Sequence, residues 1–232
     1  MWPFRGRPQL PADLADRLPP AAARYAVIDS ELTGLDPRRD SIVSLGGLRI
    51  AEGRIVLADR FYEEVLPSSA LTAESIVLHG ITPDEVRGRP GIGAVLEQFT
   101  AFCSTDILIG HFVEIDLEFL RAACAKAGLP PIANPALDTW PLYDWLSSRA
   151  PDDGGPGFPR LQDPRLPAVA QALGVPCRDE HNALGDALIT AQVFQRLLRR
   201  LDRWGVTTAG ELLRIGAPKH ALHKQSAAPP LT

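Results

Sequence analysis

The alternation of apolar and polar positions predicts three strands early in the chain, then strands interleaved with helices. Residues 25–29 begin with a short apolar run that suits a buried strand. Residues 42–50 and 55–65 are rich in β-formers, and Ala51-Glu52-Gly53-Arg54 between them reads as a hairpin turn. Ile92, Val95, Leu96, Phe99 and Phe102 then recur at helical spacing. Residues 107–109 form another buried strand that stops at Gly110. Leu117, Leu120, Cys124 and Ala127 mark a second helix, closed by Gly128 and Pro130-Pro131. Residues 151–164 collect Gly, Pro and Asp and read as a loop within the domain. A long last helix carries Leu184, Leu188, Ala191, Phe194, Leu198 and Leu201 on one stripe. The pattern implies an α/β fold around a mixed sheet.

The ends read differently. Residues 1–23 are rich in Pro, Ala and Arg and predict an extension, partly disordered, with one short helix near 12–18. The main domain then runs over 24–203. Residues 204–232 are expected to hold a short helix around 209–215 and a flexible polar tail from about 216. Trp2-Pro3-Phe4 near the start is expected to be disordered rather than to dock on a partner.

Composition narrows the function classes. In 232 residues, 24 Lys+Arg stand against 28 Asp+Glu, for a formal charge of −4, with 45% hydrophobic residues. That is a globular composition of a length that builds its own core. The acidic balance argues against a non-specific nucleic-acid coat, though not against a locally basic groove. Cys103, Cys124 and Cys177 are scattered and form no CxxC pattern, so neither a disulfide framework nor a cysteine zinc site is expected. The N-terminus lacks the apolar core of a signal peptide, and no stretch of 18 apolar residues occurs. A cytoplasmic location without membrane contact is the expectation.

The candidate chemistry is carboxylate. The first strand runs into Asp29-Ser30-Glu31, and residues two apart on a strand share a face. Two acids at the end of an apolar strand are costly unless a cation meets them, although one of them also suits a cap on the turn that follows. Asp116 opens a helix, where an acid complements the helix dipole. It shares a face with Phe119, Leu120 and Ala123, unlike Glu114 and Glu118. Asp186 begins the last helix, five residues after His181. By periodicity it lies about 130° from the apolar stripe, a solvated position.

The spelling around these residues resembles the DnaQ-like exonucleases, the DEDD-type 3′-to-5′ enzymes with a catalytic histidine that include the epsilon subunit of bacterial DNA polymerase III. The blocks are Asp29-Ser30-Glu31-Leu32-Thr33-Gly34-Leu35-Asp36, Gly110-His111-Phe112-Val113-Glu114-Ile115-Asp116, and His181-Asn182-Ala183-Leu184-Gly185-Asp186-Ala187. Leu78-His79-Gly80-Ile81-Thr82 and Leu137-Asp138-Thr139 fall between them in the family's order. The likeness covers about residues 25–201. It implies a ribonuclease H-like fold, with a mixed five-stranded central sheet flanked by helices.

The resemblance also implies roles. Asp29, Glu31, Asp116 and Asp186 would hold two divalent cations, Mg²⁺ or Mn²⁺, and His181 would be the general base. Leu32, Thr33, His79, His111 and Phe112 are the implied substrate contacts. Three positions depart from the family pattern: Leu32 replaces a usual Thr, while Phe112 and Ile115 replace Asn and Phe. These border the terminal nucleotide in relatives, so the pocket differs while the chemistry residues are intact. The expected substrate is the 3′ end of a single strand, DNA favoured over RNA, cut to nucleoside 5′-monophosphates. An RNA 3′-trimming enzyme of the RNase T or oligoribonuclease type is the alternative, and a non-catalytic nucleic-acid-binding module is a more distant one. A DNA polymerase subunit is a candidate partner. Without the four acids the rest of the chain is formally neutral, so substrate grip should depend on the ions and on local arginines.

Overall fold

The computed structural model describes residues 12–149, 158–177 and 181–218. The tail beyond 218, Trp2-Pro3-Phe4 and the first half of the Gly/Pro-rich segment fall outside them. Strand β1 (Tyr25–Leu32) is the centre of a five-stranded sheet with β2 (Ile42–Ala51), β3 (Arg54–Glu64), β4 (Ile107–Gly110) and β5 (Ala136–Asp138). The order is β3-β2-β1-β4-β5. The first three strands are an antiparallel meander, and β4 and β5 add in parallel. The hairpin turns through Glu52 and Gly53, both at positive φ (51° and 68°), the two-residue geometry that follows the sheet's twist. β1 is three residues longer than its apolar run predicts, because β2 pairs it through to Leu32.

Alternation along β1 sorts side chains into two layers. Tyr25 and Val27 face a core built with α6 (Thr139–Ser147), α7 (Leu166–Ala172), α8 (Ala183–Arg203) and α9 (Ala209–Ile215). Ala26 and Ile28 face the other core, with α4 (Ile92–Cys103) and α5 (Glu114–Ala127). Asp29 and Glu31 therefore continue the α8 face, and Ser30 continues the α5 face. β4 pairs β1 only as far as Val27 with Ile109. Beyond that point the β4-side edge of β1 is open, and the start of α5 reaches it there.

The placement of α8 departs from its leucine stripe. Its buried residues are Ala183, Ala187, Ile189, Thr190, Ala191, Val193, Phe194, Leu197 and Leu201, whereas Leu184, Leu188 and Leu198 are half-buried. The face against the sheet is made of small residues that let backbone approach backbone. Around that centre Asp186 lies only about 50° away, on the sheet side rather than in solvent. Glu114 is buried as well, against the polar position its spacing suggests, and pairs with Arg121 at 2.7 Å.

Two glycines of β2 make the close approach possible. Gly46 is the register partner of Asp29. A Cβ there would overlap the carbonyl of Ala183 and the amide nitrogen of Leu184, the first turn of α8. At Gly47, on the opposite face, a Cβ would run into the Phe102 ring of α4. Gly46→Ala is expected to lower stability by about 1–3 kcal/mol, the usual cost of overpacking. By shifting Asp186 it should also lower about 10²-fold any turnover that depends on that acid. Wild-type activity from that variant would show that the helix start does not need this seat.

The segments flanking the main domain share its core. Ala209 and Leu212 of α9 are buried. The Ala209 amide donates to the Leu18 carbonyl, and Arg214 pairs with Asp16 at 3.0 Å, beside α1 (Ala12–Ala15). The Gly216 carbonyl accepts from the Asp138 amide at the end of β5. Among the described residues, no helix is long and apolar enough to cross a membrane.

Candidate active site

Carboxylate oxygens of Asp29, Glu31 and Asp186 lie within 4.8 Å of one another. β1 supplies the first two on one face, and the first turn of α8 brings the third down onto Gly46 beside them. Asp116 comes from the other layer, in the first turn of α5, and accepts a hydrogen bond from the Ser30 hydroxyl at 2.5 Å. Ser30 thus ties the fourth acid to the strand that carries the first two.

The electrostatics join all four. Asp29 is pushed well above the ordinary carboxylate range, by burial first and then by Asp116, Glu31 and Asp186. Burial, with Asp186 and Asp116, raises Glu31 to about 7. Burial raises Asp116 to about 7 against the pull of the Ser30 bond, and raises Asp186 to about 6 against the pull of His181. Four enclosed acids that resist ionisation form a donor set of hard oxygens suited to divalent cations such as Mg²⁺ or Mn²⁺.

This has a consequence for stability. Raised carboxyl pKa values contribute stability below about pH 4, where folded and unfolded chains are both protonated. That contribution is lost as pH rises through about 6–7, because the folded acids must then ionise against one another. The metal-free protein should therefore melt at a lower temperature at pH 8 than at pH 5. Mg²⁺ or Mn²⁺ should restore the difference at pH 8, by roughly 4 °C or more, and do little at pH 5. Equal cation effects at both pH values would contradict the linkage.

His181 is exposed and stands just outside the N-terminus of α8. Asn182 caps that helix, its side chain accepting from the amides of Leu184 (3.1 Å) and Gly185 (3.2 Å). The cap fixes the direction in which the chain leaves the helix and so the start of the His181 side chain.

The residues expected to touch substrate divide by how much of their polarity is used within the chain. Thr33 is buried, and its hydroxyl receives the Ser41 amide at 2.9 Å and meets Ser69 at 2.8 Å. Leu32 is half-buried beside the α5-side core, at an irregularity in the β1–β2 register. His111 holds Thr139 through Nδ1 (2.7 Å) and the Pro164 carbonyl through Nε2 (2.8 Å). The carbonyl requires Nε2–H; burial lowers the ring's pKa to about 4, so the ring is neutral, Nδ1 is an acceptor and the Thr139 hydroxyl donates to it. His79 ends α2 (Ala73–His79). Its Nδ1 accepts from the Ile81 amide at 3.0 Å, while its buried Nε2 has no partner among the described residues.

Phe112 is half-buried and sits at φ 56°, a left-handed conformation that Asn tolerates far better than Phe. The departure from the family's Asn thus carries backbone strain, and Asp138 holds it in place. The Asp138 carboxylate, 2% exposed, accepts from the amides of Phe112 (3.2 Å), Val113 (3.1 Å) and Trp140 (2.9 Å). One acid caps α6 and fixes the turn into α5. In the sequence Asp138 is only a landmark, because its partners are backbone amides that no spacing reveals. Asp138→Ala strands three amides and should cost about 2–4 kcal/mol, a fall of roughly 5–15 °C in melting temperature. An unchanged melting curve would refute that role.

Comparison with known proteins agrees with this geometry. A family model described as "Exonuclease" matches residues 26–194. A DNA polymerase III subunit epsilon-like protein of Rhodobacter capsulatus is 35% identical over 192 residues, 82% of this chain and 26% of that one. A PolC-type DNA polymerase III of Thermotoga maritima is 31% identical over 193 residues, 83% of this chain and 13% of that one. The chain thus spans only 26% and 13% of the length of these much longer relatives. Among solved structures, E. coli exonuclease I in complex with a dT13 oligonucleotide superposes with a TM-score of 0.66 at 19% identity, over 79% of this chain and 42% of that one. Exonuclease X in complex with 5′ overhanging duplex DNA gives 0.60 at 20% identity, over 83% and 99%. At such identity the structural likeness speaks for the fold, which is ribonuclease H-like. Four acids from three motifs and a histidine at the start of α8, on that fold and under that family match, place the chain in the DnaQ-like exonuclease family.

Proposed function

We propose that this domain removes nucleotides one at a time from the 3′ end of single-stranded DNA, releasing nucleoside 5′-monophosphates. The observation that carries the reading is the convergence of Asp29, Glu31 and Asp186 within 4.8 Å, with Asp116 tied to the same strand. Asp29, Glu31, Asp116 and Asp186 would hold two divalent ions. Bound there, such ions supply charge neutralisation at the phosphoryl group and lower the pKa of attacking water.

The chain's own residues do the rest. His181, exposed at the mouth of the site, takes the proton of the attacking water at an imidazole nitrogen, the side-chain chemistry suited to a base near neutral pH. Asn182 orients it by capping α8, and Asp186 stabilises the imidazolium that results. Ser30 holds Asp116 in register with Asp29. Phe112, half-buried in the turn that leads into the helix carrying Asp116, offers its ring to the terminal base, since base–aromatic stacking tolerates every base.

DNA is favoured because the relatives are named as DNA polymerase III proteins and the solved neighbours hold DNA. Their polymerase context makes a polymerase subunit the favoured partner and the cytoplasm the favoured location. A 5′-labelled single strand incubated with Mn²⁺ or Mg²⁺ should shorten to a ladder, and EDTA should stop it. Interior cleavage would overturn the polarity. Consumption of a matched RNA strand with the DNA spared would favour the RNA-trimming reading. Intact strands despite calorimetrically bound metal would leave a binding module.

A further inference from the structure

The far half of α8 carries a second cluster of charge, opposite in sign. Arg196, Arg199, Arg200 and Arg203 are all exposed and share its outer face, away from the sheet. With Phe158 and Leu173 they line a cleft of about 230 Å³. The lining is anchored. Arg196 donates to the Leu173 carbonyl at 2.9 Å. The Arg200 guanidinium lies 5.3 Å from the centre of the Phe158 ring, which itself stacks on Tyr143 at 5.5 Å. None of the four arginines is ion-paired with a described carboxylate, although the chain as a whole is acidic and its ion pairs engage arginines elsewhere.

Such a cluster is costly unless an anion meets it. Arg196 with Arg199 and Arg200, and Arg203 with Arg199 and Arg200, are neighbours at three or four residues, so that like charges repel along one face of the helix. Favourable placement near a helix C-terminus offsets part of this, but falls off beyond the last turn, where Arg196 stands. Neighbouring guanidinium groups one helical turn apart are spaced much as successive phosphates along a strand, and guanidinium binds phosphate through paired N–H donors. Phe158 and Leu173 give the cleft an apolar floor on which a sugar ring can pack.

We propose that this cleft is a second nucleic-acid contact, binding the phosphodiester backbone of the substrate strand several nucleotides to the 5′ side of the scissile bond. Arg200 lies fourteen residues along α8 from Asp186, about 21 Å, so the contact serves long strands and is out of reach of the shortest. The proposal rests on the strand-degrading activity above and assigns that activity a length dependence.

The test uses the full chain and the triple variant R199A/R200A/R203A, which leaves the Arg196 anchor in place; equal melting temperatures establish that both fold. In EDTA, wild type should bind a labelled twenty-nucleotide DNA strand. The variant should bind at least ~10-fold more weakly, with a salt dependence of log K shallower by about 2, the loss of three phosphate contacts on a single strand. With Mn²⁺, kcat/KM on the long strand should fall by a similar factor, while kcat/KM on a trinucleotide and on the p-nitrophenyl ester of thymidine 5′-monophosphate stays within about twofold. Equal binding and equal salt slope for both proteins would overturn the proposal. So would an equal loss on the trinucleotide, or wild-type binding to poly-glutamate as tight as to the strand at equal salt. Failure of wild type to hydrolyse the ester would instead count against the catalytic reading, and the EDTA measurement would still report on the arginines.

Discussion

Asp29→Asn is expected to abolish turnover while making the metal-free protein more stable at pH 8. Asp29 is the acid on which the other three all act, each raising its pKa. The amide keeps the shape of the side chain, trades one acceptor oxygen for an N–H donor, and removes the charge about which the other acids gather. Ionic stabilisation of a phosphoryl transition state is worth several kcal/mol, and each 1.36 kcal/mol is a factor of ten. A fall in kcat/KM of about 10³-fold or more follows. In the absence of cations the same change removes up to three repulsive pairs, so the melting temperature at pH 8 should rise, and the stabilisation by Mn²⁺ should shrink. Opposite movement of stability and activity distinguishes a metal ligand from a residue that merely maintains the fold. Activity above a tenth of wild type would remove Asp29 from the ion site.

His181→Ala has the second large effect, of a different kind. The imidazole is exposed, stands outside the capped end of α8, and contributes no buried surface to either core. Its loss should leave the melting temperature and the cation response almost unchanged while kcat falls ~10²–10⁴-fold, the usual contribution of a positioned general base. The residual rate should rise with pH as hydroxide replaces the missing base, and added imidazole should restore part of it. Full activity in the variant would end the assignment. Loss of cation binding together with activity would show that the residue is part of the ion site instead.

The clustering of the acids is legible in the sequence because three ordered motifs carry the likeness, and the proposed role of His181 rests on the same likeness. The strands β1 to β4 and the helices α4, α5 and α8 are legible because each shows a clear apolar period. β5 is only three residues long, too short for a period, and in α6 the half-buried Trp140 and Trp145 blur the stripe of Leu142, Tyr143 and Leu146. Asp186 looked solvated from periodicity because leucine dominates a hydrophobic pattern, whereas the contact with the sheet is made by Ala183, Ala187 and Thr190. Ser30 and Asp138 lie within the motif blocks, but their roles are not legible there because each acts on a partner far along the chain.

The paired glycines of β2 set how sharply the site is defined. A helix that rests on side chains inherits their rotamers, and its position is an average over them. The start of α8 rests on peptide at Gly46, and the Phe102 ring presses on the other side of the same strand at Gly47. The aspartate carried by that first turn therefore has no rotameric slack beneath it, and its distance from the strand acids is set by the thickness of a backbone.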